Sequence, residues 1–503
     1  MFINLNNIVD VKSKKFFIEK IDLFNKTIKL FSEKNNSTLK SLTQEVEMPV
    51  IEKIIELGII DSKKDLGALQ ALLKNDKFEA LNSAINFSIQ HKETLKGVLD
   101  KFDPVSRRRI QKKALARSSP KIVDFFCGAG GLSLGFVQEG YFVDFANDYE
   151  DVCIQTYRHN HPEVSSSRVV HGDIRDIVNH LEGYSIKDID VMVGGPPCQG
   201  FSSANQQRII DDPRNELYKY YIKAIEKIKP KFVVMENVRG MLPYAEQIVE
   251  DYQNINTKDN FSYDVSCKIL VSDNFGVAQK RQRLIFIAIR NDISEKLNIT
   301  PDCIFSSIES STSGKKTHIL QDALDWIKPL KSPRIKNMTE VDDDITGKKI
   351  DINDFFGNEN SYLRLINQNR KIPFVFNHKA RYTNDTNYEI YSKLDQGEDG
   401  TSEKIRDIMP YKHRSHIFKD KYFKLRADRP SRTITAHLRM DCHSHIHPQQ
   451  IRSITPREAA RIQSFPDDYI FLGPYLKTYM QIGNAVPPLM ARGIAKIIKK
   501  YIS

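Results

Sequence analysis

The stretch Val191-Met192-Val193-Gly194-Gly195-Pro196-Pro197-Cys198-Gln199 combines a short apolar run with two glycines and two prolines. The β-branched run predicts a buried strand that is closed by the glycines. The prolines fix two φ angles and remove two backbone donors, so the loop that carries Cys198 should be stiff. Open α/β sheets place their chemistry at the carboxyl ends of strands, which makes this loop a candidate active-site loop. The alternative is a small buried cysteine, the commoner role of this residue type.

Four further apolar runs resemble this strand and alternate with amphipathic segments. They are 122–126, 142–145, 232–235 and 284–289. Strands separated by helical segments predict an α/β fold with a doubly wound, mostly parallel sheet. We therefore expect a catalytic domain over 119–290. Helical segments at 456–463 and 489–502 predict that 453–503 returns to this domain.

The remaining segments have a different character. Residues 1–100 show helical periodicity with little glycine or proline, which predicts a helical N-terminal extension over 1–118. Its last part, 101–119, is expected to be a basic linker or a DNA-facing arm. A turn at Met48-Pro49 would join either a helix-turn-helix or two packed accessory helices. Residues 291–452 are polar and irregular, which predicts a second, smaller domain.

The charge of the chain favours a polyanionic partner. The 503 residues carry a formal net charge of +11, and their number suggests two or three domains. Residues 404–439 hold eleven Lys or Arg against three acids, and 101–117 hold seven against one. Two such clusters are more typical of binding surfaces than of scattered surface charge.

The cysteines and the hydropathy pattern indicate the compartment. The six cysteines are not closely spaced, so neither a zinc ribbon nor a disulfide framework is predicted, and a reducing compartment fits. We find no signal-peptide pattern and no apolar run of membrane-spanning length. These features predict a soluble cytoplasmic protein with no membrane partner.

The first strand ends in a glycine-rich turn, Phe126-Cys127-Gly128-Ala129-Gly130. Glycines allow the backbone to turn tightly and to approach a ligand closely. Asp148 follows at the end of the next strand, where a carboxylate usually binds ribose hydroxyls. Asp173 would mark a third strand end and reach an adenine amino group. Each acid alone is more often a turn or cap residue, but together they describe a nucleoside pocket.

Two further motifs flank later strands. Glu236-Asn237-Val238 follows the run 232–235, so its carboxylate would lie beside the Cys198 loop; a helix N-cap is the alternative. Arg281 and Arg283 precede the last run, and in an extended segment both side chains point to one face. The alternative for this pair is a solvated charge run.

Six motifs in this order resemble the cytosine-C5 DNA methyltransferase family. They are Phe-x-Gly-x-Gly at 126–130, Pro-Cys-Gln at 197–199, Glu-Asn-Val at 236–238, Gln-x-Arg-x-Arg at 279–283, the segment 457–467, and Gly-Asn-Ala-Val-Pro at 483–487. The resemblance covers about 120–290 and 453–503. Residues 1–118 and most of 291–452 match no family pattern.

The resemblance implies a covalent mechanism. Cys198 would attack C6 of cytosine, which makes C5 nucleophilic enough to accept a methyl group. Its thiol, with an ordinary pKa of about 8.5, needs a positive field to ionise at neutral pH. Glu236 would bind the cytosine amino edge and, when protonated, N3. Arg281 and Arg283 would hold the pyrimidine O2.

The implied methyl donor is S-adenosylmethionine. Its expected binding residues are Phe126, Gly128, Gly130, Asp148, Asp173 and Asn484. Of these, Asn484 would pack near the glycine turn and shape it, while the first three line the methionine end. We expect no metal: His443, His445 and His447 would share a face of a strand, but nothing completes a ligand set.

The implied substrate is double-stranded DNA. A cytosine inside a duplex cannot reach a cysteine and must be flipped out. The polar segment 199–215 would close over the flipped base as a mobile loop. Residues 291–452 would read the sequence. The DNA-contact candidates are Gln199, Ser202, Arg426, Arg429, Arg432 and Arg439.

Two alternatives stay open from the sequence. The N-terminal helices would act as a DNA-binding transcriptional regulator, or the substrate would be a tRNA cytosine, since a tRNA-acting branch shares these motifs. A cognate restriction endonuclease acting on the same site is a plausible partner, and we expect a monomer.

Overall fold

The computed structural model describes residues 2–35, 39, 46–92, 95, 99–116, 118–197, 215–255, 261–352, 359–370, 372–410 and 421–502. Within these residues no helix is long and apolar enough to span a membrane.

The N-terminal extension is helical, as its periodicity predicts. Its helices are α1 (Val11–Lys34), α2 (Met48–Glu56), α3 (Leu66–Gln90) and α4 (Pro104–Leu115). Met48 and Pro49 begin α2 and do not form a turn between two helices, because proline suits the first turn of a helix.

A seven-stranded sheet forms the centre of the molecule. Its strands are β1 (Lys121–Phe125), β2 (Phe142–Asp148), β3 (Val169–His171), β4 (Val191–Gly194), β5 (Phe232–Val238), β6 (Tyr263–Val271) and β7 (Gln282–Arg290). The strand order is β3-β2-β1-β4-β5-β7-β6. The first five strands are parallel, and β7 runs antiparallel to both of its neighbours. The predicted α/β fold with a mostly parallel sheet is confirmed.

Helices cover both faces of this sheet. They include α5 (Gly131–Gln138), α6 (Asp151–Asn160), α7 (Ile174–Asn179), α8 (Glu216–Ile228) and α9 (Ala245–Gln253). Alternate strand residues enter two separate cores: Val191 and Val193 belong to one, and Met192 belongs to the other. This period of two is why the central strand β4 is apolar throughout.

The region 291–452 is more ordered than its composition suggests. It contains α10 (Asn291–Leu297), α11 (Pro301–Thr312), α12 (Leu320–Leu324), α13 (Ser361–Ile366) and α14 (Asp385–Lys393), with a two-stranded antiparallel sheet of β8 (Gly347–Ile352) and β9 (Phe374–Lys379). Phe305, Leu320 and Tyr362 join the main core, so packing crosses the predicted boundary after residue 290. A small separate core forms around Tyr391 and Ile446.

The C-terminal segment packs back onto the catalytic domain. It forms α15 (Pro456–Ile462), α16 (Tyr475–Asn484) and α17 (Pro488–Lys499). A Cβ atom at Gly135 of α5 would lie 2.5 Å from the Cβ of Ala491 in α17. Small residues therefore let these two helices approach closely.

The basic segment after residue 100 is not a free DNA-facing arm. Lys101 Nζ donates to the carbonyl of Asp468 at 2.6 Å, and Arg107 in α4 is only 2% exposed. These cations point inward because backbone carbonyls of the catalytic region accept their hydrogen bonds. The other four described cations of the cluster are exposed, so most of its charge still faces solvent; they are Arg108, Arg109, Lys112 and Lys113.

A buried lysine joins the extension to the catalytic domain. Lys20 of α1 is 2% exposed, and its Nζ lies 2.8 Å from Nδ1 of His159 in α6. Burial, together with the smaller effect of the nearby Arg107 guanidinium, lowers the pKa of Lys20 to about 7. Burial also holds the pKa of His159 well below its ordinary value, so this imidazole is neutral and can accept the hydrogen bond.

Stability should therefore depend on pH through Lys20. The folded-state pKa of about 7 lies below the ordinary value of 10.5, so between these values the unfolded chain binds more protons. We expect the free energy of unfolding to rise with pH from 7 towards 9, by at most about 1.4 kcal/mol per pH unit. Denaturant unfolding of the wild type and of Lys20→Met at several pH values measures the difference.

The matched control is Lys14→Met, since Lys14 is an exposed lysine of the same helix. Its pH dependence should equal that of the wild type. An equally steep pH dependence in Lys20→Met would contradict the assignment.

Candidate active site

The loop that leads to Cys198 is anchored on its first residues. Nδ2 of Asn237, near the end of β5, donates to the carbonyl of Pro196 at 2.9 Å. A Cβ at Gly194 would lie 2.6 Å from the Phe125 carbonyl, so the close packing of β4 on β1 requires glycine there. Cys198, Gln199 and Ser202 themselves lie outside the described residues.

Glu236 forms an ion pair at the same edge of the sheet. Its Oε1 lies 2.5 Å from Nε of Arg283, and both side chains are only 13% exposed. The antiparallel register of β5 and β7 creates this pair, because it sets Val238 opposite Arg283. A Cβ at Gly195 would lie 3.0 Å from Glu236 Oε2, so the second glycine leaves room for the carboxylate. The prolines, the carboxylate and Arg283 thus converge at one strand end.

Arg281 has a different environment from Arg283. It is 1% exposed, and its guanidinium donates to the carbonyls of Ile434 at 2.6 Å and Gly483 at 3.0 Å. Burial lowers its pKa to about 9, and the neighbouring Arg283 acts in the same direction. These bonds commit Arg281 to joining chain segments. The predicted direct contact with the pyrimidine O2 does not fit this geometry.

Buried amides reinforce this junction. Gln279 accepts from the Ile434 amide at 2.7 Å and donates to Gln463 Oε1 at 2.8 Å, and Gln463 donates to the Ile482 carbonyl at 2.8 Å. The sequence analysis did not assign roles to these glutamines. Gln279 lies inside the motif at 279–283 and Gln463 inside the segment 457–467, and these positions could have indicated a role for both.

The segment 457–467 is structural. Arg461 and Asp467 form a buried ion pair with a closest distance of 2.7 Å. Glu458 caps α15 and binds Arg452 through both carboxylate oxygens. Burial opposes ionisation of Glu458, but Arg452 holds its pKa well below the ordinary value. This motif stabilises the C-terminal return, and its charged side chains already have hydrogen-bond or ion-pair partners within the protein.

The glycine turn after β1 leaves an open space at the sheet edge. Phe126, Gly128 and Gly130 all have positive φ, at 57°, 52° and 90°. A Cβ at Gly128 would meet nothing within 4 Å, so the space over this residue is free. A Cβ at Gly130, in contrast, would lie 2.7 Å from both His161 Nε2 and the Tyr469 hydroxyl. We call the open side of the turn, at Gly128, its front, and the side packed against His161 and Tyr469, at Gly130, its back.

Two carboxylates lie at neighbouring strand ends beside this turn. Asp148 accepts hydrogen bonds from the amides of Gly128 and Glu150, both at 2.8 Å, and burial raises its pKa. Asp173 caps α7, and its hydrogen bonds with Arg175 lower its pKa. Both also serve the local backbone, as the cap alternative predicted. Both oxygens of Asp148 and Oδ2 of Asp173 accept one of these bonds each, so each keeps a second lone pair that a ligand hydroxyl or amine can use; Oδ1 of Asp173 already accepts two bonds from Arg175.

Tyr149 is an exposed aromatic residue beside the glycine turn, and the sequence analysis assigned it no role. It follows Asp148 directly and is 71% exposed, an unusual environment for an aromatic ring. Its ring lies 6.4 Å from that of His171, at the end of β3. Its position next to Asp148, the carboxylate predicted to bind ribose, could have indicated a role for this aromatic residue.

Asn484 does not make the contact predicted for it. It is exposed at the end of α16, whereas its neighbours Ala485 and Val486 pack against the glycine turn. A Cβ at Gly131 would lie 2.5 Å from the Val486 carbonyl and 3.0 Å from the Ala485 Cβ. The predicted shaping of the turn is therefore done by these two residues.

The four arginines predicted to contact DNA differ in the exposure and the contacts of their side chains. Arg429 is 56% exposed, and Asp428 lies between it and Arg426, which is 40% exposed. Arg432 stacks over Phe423 at 4.7 Å from the ring centroid. Arg439 lies 3.6 Å from the Met480 sulfur. Arg429 and Arg439 are the exposed residues of the four, whereas Arg426 and Arg432 are half-buried.

The three alternating histidines do not share a strand face. His443–His445 form a short 3-10 helix, and each histidine has its own partner. His443 bonds Tyr391 at 2.8 Å, His445 bonds Ser444 at 3.0 Å, and His447 accepts from two backbone amides. Among the described residues no cluster of metal-ligating side chains is found, and the five described cysteines are free thiols.

Comparison with known proteins shows to which family the chain belongs. The family model of the C-5 cytosine-specific DNA methylases matches residues 120–500. The type II methyltransferase M.AgeI of Thalassovita gelatinovora is 30% identical and covers 76% of this chain and 100% of its own length. M1.HphI of Haemophilus parahaemolyticus, also a type II methyltransferase, is 31% identical, with 75% and 86% covered.

Among solved structures, an E. coli prophage protein described as a candidate DNA modification methyltransferase has a TM-score of 0.58 and 24% identity, and it covers 76% of this chain and 99% of its own. This likeness supports the fold. The chain belongs to the C-5 cytosine-specific DNA methylase family and is a DNA cytosine-5-methyltransferase.

Proposed function

We propose that the enzyme methylates C5 of a cytosine that is flipped out of a specific duplex DNA sequence, through a covalent bond between Cys198 and C6. The convergence of Glu236, Arg283 and the Pro196-Pro197 loop at one edge of the sheet carries this proposal. Nucleophile, hydrogen-bonding carboxylate and cation are the three groups that the reaction requires.

Each group then has a defined task. The Cys198 thiolate attacks C6, which places electron density on C5 and N3. Glu236 binds the amino edge and, when protonated, donates to N3. Arg283 orients Glu236 and stabilises negative charge at O2. After C5 accepts the methyl group, loss of the C5 proton expels the Cys198 thiolate and restores the aromatic ring.

S-adenosylmethionine fits the open front of the glycine turn. The free space over Gly128, two carboxylates at neighbouring strand ends and an exposed ring at Tyr149 suit a nucleoside. Asp148 would accept from the ribose hydroxyls, Asp173 from the adenine amino group, and Phe126 and Gly130 would flank the methionine end. When bound, this cofactor supplies the methyl group.

The recognition region 291–452 would hold the duplex. Arg429 and Arg439 are the exposed cations of the predicted set and are suited to phosphate contacts, and Arg439 lies on a segment that Gly483 allows to pack against α16. The names of the type II relatives support a role in a restriction-modification system, with a cognate endonuclease that cuts the same site.

The covalent step is tested with Cys198→Ser. We expect turnover to fall by at least about a thousandfold, because a hydroxyl is a far weaker nucleophile than a thiolate at neutral pH. Methyl transfer from labelled S-adenosylmethionine onto duplex DNA measures it, and bisulfite sequencing of the product locates the modified cytosine.

The control is Cys303→Ser, since Cys303 is exposed on α11 and should be dispensable. Near-normal C5 methylation by Cys198→Ser would overturn the covalent scheme. Preferential transfer onto tRNA in the same assay would overturn the DNA substrate.

The anchoring of the cysteine loop is tested with Asn237→Ala. Loss of the hydrogen bond to the Pro196 carbonyl should lower kcat about tenfold, because it costs roughly 1–2 kcal/mol of loop positioning. The Kd for S-adenosylmethionine should not change, since this side chain lies away from the glycine turn. Steady-state kinetics and calorimetry separate the two quantities.

Asn75→Ala, on the exposed surface of α3, serves as the matched amide control. An unchanged kcat in Asn237→Ala would show that the loop does not depend on this bond.

The phosphate role of Arg429 is tested with Arg429→Ala. If the side chain binds a phosphate, the dependence of log Kd on log salt concentration should become shallower by about one unit. Arg364→Ala is a matched control, because Arg364 on α13 is also 56% exposed. Equal salt slopes in the wild type and Arg429→Ala would exclude the phosphate contact.

A further inference from the structure

Arg107 lies in the part of the chain that the family does not share. The family match begins at residue 120, yet Arg107 is as buried as a core residue. Burial lowers its pKa to about 10, so the guanidinium is still charged at neutral pH. A buried charge is costly unless hydrogen bonds satisfy it, so its partners identify its role.

Those partners are at the C-terminal end of α6. Nη2 of Arg107 donates to the carbonyls of Arg158 at 2.8 Å and His161 at 3.4 Å. Gln111, one turn further along α4, donates to the carbonyls of Pro162 at 3.2 Å and Val164 at 3.3 Å. The last carbonyls of a helix lack intrahelical partners and carry partial negative charge, so a cation from another segment stabilises this end.

His161 connects this helix end to the glycine turn. Its ring stacks on Tyr157 with centroids 4.2 Å apart, and Nδ1 lies 2.8 Å from Glu163. Its Nε2 lies 3.2 Å from the hydroxyl of Tyr469, which in turn donates to the carbonyl of Ala129. His161 is thus the closed back of the turn at Gly130, and its own carbonyl is held by Arg107.

The opposite end of α6 also belongs to the pocket. The helix begins at Asp151, directly after Asp148, Tyr149 and Glu150. Lys12 of α1 lies 3.1 Å from Asp151, so the extension contacts α6 at both ends. A shift of α6 would move the glycine turn's back and the ribose-type carboxylate together.

We propose that Arg107 is a positioning residue for the cofactor site: by capping α6 it holds His161 against the glycine turn and makes the N-terminal extension part of S-adenosylmethionine binding. This inference rests on the proposed location of the cofactor at Gly128 and Asp148. It assigns the extension a task in the reaction without any contact between Arg107 and the cofactor.

The test compares Arg107→Met, Arg107→Lys and Arg108→Met in the full chain. Arg108 is the exposed neighbour on the same helix and is the matched control. Arg107→Met should raise the KM and the calorimetric Kd for S-adenosylmethionine about five- to tenfold. Its kcat at saturating cofactor and its KM for DNA should stay within about twofold. Arg107→Lys, which can still donate to the carbonyls, should recover most of the affinity.

The outcomes separate this inference from the function on which it rests. A folded Arg107→Met with wild-type cofactor affinity, or an equal loss in Arg108→Met, would overturn it. If Arg107→Met does not fold, Gln111→Leu removes the adjoining bonds and is judged by the same cofactor Kd. A wild-type protein that binds no S-adenosylmethionine would instead overturn the proposed cofactor.

Discussion

A buried guanidinium without a carboxylate hydrogen-bond partner organises the active-site edge. Arg281 lies in the protein interior, and backbone carbonyls of Ile434 and Gly483 accept its hydrogen bonds. A charge in this position is stable only if those carbonyls stay where they are. One side chain therefore holds the segment around Ile434 and the C-terminal return against the start of β7. Arg283, two residues further along, pairs with Glu236 instead.

The cofactor side depends on close approach rather than on charge. Gly131 and Gly135 let α5 pack against the segment 485–491, and Gly130 lets His161 and Tyr469 close the back of the turn. At each of these positions a Cβ would collide with a neighbouring residue. Segments far apart in sequence thus form one pocket wall, and the extension completes it through α6.

Regular periodicity was the reliable signal. The strands β1, β2, β4, β5 and β7 were predictable because each is a short apolar run buried on both faces. The edge strand β6 was not, since most of its residues are only half buried and its sequence mixes polar and apolar side chains. Periodicity did not predict the different environments of the two arginines, because Arg281 is buried and Arg283 pairs with Glu236.

The charge pattern was the least reliable signal. Lys101 and Arg107 belong to a basic segment that predicted a nucleic-acid surface, yet both bind backbone carbonyls inside the molecule. Composition gives the charge of a side chain but does not show whether that side chain points to solvent or into the protein. Asn484 is a similar case, because the motif was found correctly while its neighbours make the contact with the glycine turn.

The family, the order of the sheet elements and the chemical groups at the active-site edge can all be assigned from this chain's sequence. They depend on local patterns: strand periodicity, glycine turns and short motifs. Tertiary structure alone decided which cation meets Glu236, which residues pack behind the glycine turn and where the N-terminal extension packs. Those outcomes depend on hydrogen bonds between segments tens to hundreds of residues apart, such as Arg281 with Gly483 and Lys20 with His159. Which buried polar groups pair with one another depends on how the whole chain folds. No local sequence pattern determines that pairing.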